Sequence, residues 1–214
     1  MLTFPDSTYL GKRMPKEKFY AHLKVPAAIR QSFIDDIDQI VWRNKLSPTT
    51  LNVAPGNMVK EIALLEVKLR KQSYNKELFR FLTRNVALYF VFLLTYESKA
   101  QLLIHYKEPV ANRPDRFNIL ETYATVWMDE AAIKLTISGL SMDMVYQNFV
   151  RQIGEIEDTD ECIEFRERIE KQKAIGKTKR LISILELNLR KEPQFNKQLE
   201  ISNKIKKLKQ SIYG

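Results

Sequence analysis

The sequence predicts an α+β fold: a mainly antiparallel sheet with flanking helices, followed by a C-terminal basic, coiled-coil-like helical hairpin. Three observations lead there. Runs of aromatic and β-branched residues, of strand length, alternate with segments whose apolar residues recur every three or four positions. The last quarter of the chain keeps a heptad-like spacing and shows no strand signal. Charge is also segregated. From Lys171 onward there are twelve Lys/Arg against three Glu, while residues 1–170 hold 23 basic and 23 acidic residues, so the net charge of +9 belongs to the tail. A boundary is expected between an α+β domain of residues 1–157 and a hairpin of residues 158–214.

The elements follow in order. Pro15–Leu23 and Pro26–Leu46 read as helices, since proline suits a first helical turn. In the second, Ile29, Phe33, Ile37, Ile40 and Val41 recur at helical spacing. Ser47-Pro48 ends it. A short strand at Leu51–Val53 and a turn at Pro55-Gly56-Asn57 precede a strand over Val59–Leu69. Asn75–Asn85 reads as a helix capped by Asn75, with Leu78, Phe79 and Leu82 facing inward. Ala87–Tyr96 and Lys99–Lys107 form a hairpin through Glu97-Ser98, although that is not a favoured turn pair. Val110–Arg116, which holds Pro114, reads as a loop, and Ile119–Met128 and Ile133–Ile137 as strands. Ser141 caps a helix to about Ile153 that buries Met144, Val145, Phe149 and Val150.

Beyond the acidic loop Gly154–Asp160 the pattern is helical to the end. Ile175, Thr178, Ile182, Leu185 and Leu189 mark one seam, and Ile201, Ile205, Leu208 and Ile212 a second. Pro193 cannot occupy a helix interior without breaking or kinking it, so the chain is expected to turn there and the seams to meet as an antiparallel hairpin, the alternative being one kinked helix.

Composition narrows the class. Hydrophobic residues make up 44% and charged residues 29% of the 214 positions, with six Gly and eight Pro, which suits a packed domain and not a disordered chain. The one cysteine, Cys162, has neither a disulfide partner nor a CxxC companion. The first residues lack the apolar stretch of a signal peptide, and the longest apolar run, Val86–Leu94, is too short to cross a bilayer. The expected setting is the cytoplasm, away from the membrane.

The motifs that carry chemistry are sparse. Glu66-Val67-Lys68 on the Val59–Leu69 strand matches the (D/E)xK pair of restriction-type nucleases. There the carboxylate holds Mg²⁺ and the lysine orients water. Residues i and i+2 share one sheet face, so the geometry is allowed. Such a site needs a further acid from a preceding element, and Leu51–Gly56 has none, while Glu61 lies on the same strand. A solvated strand face is the simpler account of the pair. Apart from Mg²⁺ under this alternative, no cofactor is expected. Gly176-Lys177-Thr178 resembles the end of a phosphate-binding loop, but Lys171 stands where the first glycine is required and no strand precedes it. Gly176 is expected to mark a helix break or kink. His22 and His105 are far apart and read as structural or surface residues, not ligands.

The tail is the strongest signal. Lys171, Lys173, Lys177, Lys179, Arg180, Arg190, Lys191, Lys197, Lys204, Lys206, Lys207 and Lys209 are spread over both helices. Lysines at helical spacing track phosphates by charge alone, giving salt-sensitive affinity without sequence preference. Phe195 and Tyr213 are too few to support single-strand stacking. Docking onto a partner protein fits the same charge as well as nucleic acid does.

Five segments carry a family resemblance: "KRMPKEKFY", "IVWRNKLSPTTLNV", "VKEIALLEVKLRKQSYNKELFRFL", "QLLIHYKE" and "LRKEPQFNKQLEISNKIKKLK". Together they span nearly the whole chain, and through them it resembles the bacterial and archaeal domain of unknown function 4391. The resemblance implies a role beside helicases and DNA methyltransferases in restriction-like or phage-defence systems. It supplies no catalytic residue. The expected function is therefore a non-enzymatic accessory subunit that binds nucleic acid, or a helicase or methyltransferase subunit, through the hairpin. The alternatives are an Mg²⁺-dependent nuclease at Glu66 and Lys68, and a homo-oligomer held by the hairpin seams.

Overall fold

The strands are β1 (Tyr9–Arg13), β2 (Ile37–Leu46), β3 (Ile62–Leu69), β4 (Tyr89–Tyr96), β5 (Lys99–Val110), β6 (Arg113–Ala124) and β7 (Met128–Asp129). The helices are α1 (Glu17–His22), α2 (Ala27–Asp35), α3 (Pro48–Leu51), α4 (Lys76–Asn85), α5 (Met142–Gly154), α6 (Phe165–Lys191) and α7 (Phe195–Tyr213). They are seen in a computed structural model, which describes residues 2, 4–110, 113–156 and 165–213. The chain divides into two compact units, residues 1–157 and 158–214.

The fold is α+β. One mixed sheet runs in the order β1-β2-β3-β4-β5-β6, with β7 also pairing β5. Strand pairing is antiparallel except between β3 and β4. The exception has a cause: α4 lies between these two strands, and parallel neighbours need such a crossover. One face of the sheet presents Ala63, Leu65, Val67 and Leu69 of β3 and Phe90, Phe92 and Leu94 of β4. These join Ile29 and Phe33 of α2 and Leu78, Phe79 and Leu82 of α4 in a single core cluster. Burying each large apolar side chain contributes about 1.5–3 kcal/mol. On the other face Tyr146 of α5 packs edge-on to Tyr89 and stacks on Tyr106, with centroids 4.7 Å and 6.3 Å apart.

The expected helix over Pro26–Leu46 is only half a helix. α2 ends at Asp35, and Ile37–Leu46 is a ten-residue strand between β1 and β3. The register shifts between Ile37 and Gln39 and again between Trp42 and Asn44. A bulge adds one residue to a strand, so Ile37 and Ile40 stand three apart yet join the same core. That spacing imitates a helical face.

Other expectations change for local reasons. Leu51–Val53 is no strand. Ser47 and Thr50 form a reciprocal capping box around the single turn of α3, and Asn52 closes it at φ 53°. The segment read as a loop at Val110–Arg116 holds the end of β5 and the start of β6. Pro114 is tolerated because β6 is the last strand of the six-strand order and need not donate outward. β6 ends at Ala124, and Ile133–Ile137 is not a strand, although Ile133 and Leu135 are buried. In α5, Val145, Phe149 and Val150 are buried as expected, while Met144 is 45% exposed and Met142 is buried in its stead.

Long-range polar contacts tie these parts together. Asp143, in the first turn of α5, accepts the backbone N–H groups of Asn57 (2.7 Å), Met58 (3.2 Å) and Val59 (2.7 Å). Gly56 permits that approach, since a Cβ there would stand 2.4 Å from Asp143 Oδ1. Asp36, almost fully buried, accepts from the backbone N–H of Asn75 at 2.9 Å and so fixes the start of α4.

The end of α4 is fixed by Lys107 on β5, which is 1% exposed. Its ammonium donates to the carbonyls of Thr83 (3.1 Å), Val86 (3.1 Å) and Leu88 (2.7 Å). The same Nζ lies 3.6 Å from the Phe117 ring centroid and 4.7 Å from that of Tyr89. Burial pulls its pKa down to about 7, while the carbonyl dipoles at a helix C-terminus favour the charged form. Lys107→Met keeps the stem and strands all three carbonyls. We expect it to lose about 3 kcal/mol of stability, the scale of an abandoned charged hydrogen-bond set. The reading is a lower urea midpoint at unchanged slope, and an unchanged midpoint would show that the carbonyls find other partners.

Candidate nucleic-acid interface

Within the C-terminal unit, α6 ends at Lys191 and α7 begins at Phe195, so the chain breaks at Pro193. Ile182 and Ile205 are the most buried seam residues, each 7% exposed, and Leu185, Leu189, Ile201, Leu208 and Ile212 are half-buried beside them. Lys209 Nζ reaches Glu186 Oε1 at 2.8 Å and links the two helices. Gly176 does not break α6, which runs on through it. A glycine inside a helix costs only about 1 kcal/mol relative to alanine, too little to end a long amphipathic helix.

All twelve cations of the tail, from Lys171 to Lys209, are exposed. Lys173, Lys177, Arg180 and Lys191 are spaced by four, three and eleven, close to whole turns, so they share one side of α6. The seam residues Ile182, Leu185 and Leu189 lie on the other side. Between Lys171 and Lys191 the one acid is Glu186, and it is turned to Lys209. The result is a line of cations over Lys173–Arg180, about 10 Å at 1.5 Å per residue, with Lys191 about 16 Å further on and the exposed Ile184 and Leu187 between them on the same side.

Glu66 and Lys68 do project from β3 with the i, i+2 geometry expected. Each has an oppositely charged neighbour on β2. Arg43 Nη1 is 3.1 Å from Glu66 Oε2, and Asp38 Oδ2 is 3.9 Å from Lys68 Nζ. Lys45 and Glu61 form a third rung at 3.0 Å. Opposite charges on paired strands stabilise the sheet by a few tenths of a kcal/mol each. Asp38 is an acid on the preceding strand, and it pairs with Lys68 and with Arg70, at 3.9 Å and 3.5 Å. It was hidden because β2 was read as a helix, and the bulge places it in the break between Ile37 and Gln39. Among the described residues no group of three or more His, Cys, Asp or Glu is arranged to hold a metal ion. Among them also no helix is long and apolar enough to cross a membrane. Cys162 lies outside the described residues, as does the side chain of His22.

A family model described as "Domain of unknown function (DUF4391)" matches residues 2–212. The chain belongs to this family. No curated protein and no solved structure matches the chain. Membership in DUF4391 extends over both units, so the hairpin belongs to the family's pattern along with the sheet.

His105 is a buried residue of β5, 2% exposed, and its Nδ1 lies 3.1 Å from the hydroxyl of Thr83 on α4. Burial lowers its pKa to about 3, aided by the positive charges of Arg80, Lys107 and Arg84. The folded pKa is below the ordinary 6.5, so the group adds stability above pH 6.5 and loses it as the pH falls toward 3. At pH 5 the loss is about 2 kcal/mol, at 1.36 kcal/mol per pH unit. Urea midpoints at pH 7 and pH 5 should therefore fall further apart in the wild type than in His105→Asn. Equal separations would show that His105 does not drive the acid limb.

Proposed function

We propose that this protein is a non-enzymatic accessory subunit of a DNA-processing system, restriction-like or directed against phage, that binds duplex nucleic acid through its C-terminal hairpin. The observation that carries the reading is the stripe of Lys173, Lys177, Arg180 and Lys191 along an outer face of α6 with no acid in it. The hairpin turns Ile182 and Ile205 inward and its cations outward, the arrangement that phosphate tracking requires. Binding of this kind reads backbone charge and not bases. The balanced charge of residues 1–170 leaves the attraction to the tail.

A second reading rests on a separate observation. Leu181, Ile184 and Leu187 of α6 are 41%, 54% and 55% exposed. Apolar residues at such positions suit a helical partner, whether a helicase or methyltransferase subunit or a second copy of this chain. A duplex binder and a partner binder differ in how affinity responds to salt. Replacing Lys173, Lys177, Arg180 and Lys191 together by Gln in the full chain should weaken binding to a labelled DNA duplex. The slope of log affinity against log salt should shrink by roughly 3–4, since each phosphate contact contributes about 0.9. Fluorescence anisotropy over a salt series reads this directly. An unchanged slope would remove the stripe from the interface.

A further inference from the structure

A cleft of about 540 Å³ opens between the first turns of α4 and strands β5 and β6. It is independent of the hairpin. The sheet register sets its floor by pairing His105 with Thr122. α4 roofs that pair twice: Thr83 meets His105 Nδ1, and Arg80 Nη1 donates to Thr122 Oγ1 at 3.2 Å. One wall is aromatic, from Tyr74 and Trp127. Tyr74 is held in place because its hydroxyl donates to Gln101 Oε1 at 2.9 Å, and Gln101 Nε2 in turn donates to the Thr125 carbonyl at 2.5 Å.

Two nitrogens in this cleft have unused hydrogen-bonding capacity. Arg80 Nε is buried and makes no hydrogen bond. Glu77 Oε1 stands 3.2 Å from it, so the carboxylate offers charge without lying along the N–H. The second is His105 Nε2, which has no hydrogen-bond partner among the described residues, while Nδ1 is engaged by Thr83. Buried polar groups in folded proteins are almost always paired, and those that are not point to strain or to a ligand. Arg80 Nε is such a group, and the side chains of Arg80 and His105 both line one cleft, which has the volume of a small-molecule site.

We propose that this cleft binds a small organic anion, a carboxylate or phosphate carried by a molecule with a planar ring. Arg80 and the rim residue Lys76 meet the acidic group, His105 Nε2 contacts it from the floor, and the ring lies against Tyr74 and Trp127. An arginine fork matches the paired oxygens of either acid. His105 held neutral can present Nε2–H as a donor without adding charge, the tautomer following from whether Thr83 donates to Nδ1. An aromatic wall beside a cation favours a ring over an aliphatic chain. Carboxylate and phosphate share this chemistry, so two probes separate them.

The test is titration of the full-length protein with adenosine 5′-monophosphate and, separately, with indole-3-carboxylate, followed by amide and indole NMR shifts. Trp42 serves as an internal control, since it lies on β2, away from β5 and β6. We expect at least one probe to move the Trp127 indole and Thr122 amide signals saturably with Kd below about 1 mM while the Trp42 indole stays put. Arg80→Gln should weaken that probe at least tenfold. Lys76→Gln, at an exposed position, should weaken it about threefold and serves if Arg80→Gln does not fold. Response to adenosine monophosphate alone assigns a phosphate ligand, and to indole-3-carboxylate alone a carboxylate. No saturable shift with either probe, shifts at Trp42 as large as at Trp127, or affinity unaltered by both substitutions would overturn the proposal.

Discussion

The last turn of a helix leaves carbonyls that no helical N–H can reach, and in α4 that of Thr83 is met by the ammonium of Lys107, which also takes the carbonyls of Val86 and Leu88 just beyond. That contact decides more than a helix end. α4 is the crossover that makes β3 and β4 parallel, so its seat on the sheet sets the one departure from an antiparallel meander. Lys107 pins it at the C-terminal end and Asp36 at the N-terminal end. Between the two anchors, Arg80 and Thr83 reach down to Thr122 and His105. The cleft geometry is thus a consequence of where one buried lysine and one buried aspartate hold a ten-residue helix.

The legible parts of the fold are those whose signal is local. α4, α5 and the hairpin are each marked by a cap, a period or a proline within the segment itself. β2 was illegible because its bulges convert a strand's period of two into an apparent period of three, and only β1 and β3 on either side reveal it as a strand. β6 was half hidden by Pro114, whose meaning depends on being at a sheet edge, which is a property of topology. Among the candidate sites, the cationic residues of the tail could be read directly, since charge segregation is a count along the chain. Asp38 could not, because its neighbour Lys68 is thirty residues away and the pairing register alone joins them. Lys107 looked like the polar end of a strand. Nothing in its local pattern says that three carbonyls from α4 and the residues after it converge on its side chain.

The two units handle charge differently. In the sheet unit, opposite charges are set against each other across β2 and β3, through Arg43–Glu66, Lys45–Glu61 and Lys68–Asp38. Such rungs give register and leave little net field. From Lys171 onward twelve cations share three glutamates, so most of the field there is uncompensated and is screened beyond about 8 Å at physiological salt. One unit spends its charges on its own architecture. The other keeps them for the outside.

The clasp of Asp143 on the backbone of Asn57–Val59 also bears on the order of assembly. Its partners are 84 to 86 residues apart. At ribosomal speeds of about 5–20 residues per second, the turn at Gly56 emerges on the order of 4–17 s before the carboxylate that organises it. From the emergence of Tyr106 to that of Asp143, the tyrosine face of the sheet, Tyr89 and Tyr106, has no α5 to cover it. The nascent chain must pass through a state with one sheet face dressed and the other bare, and the arrival of a single aspartate closes it.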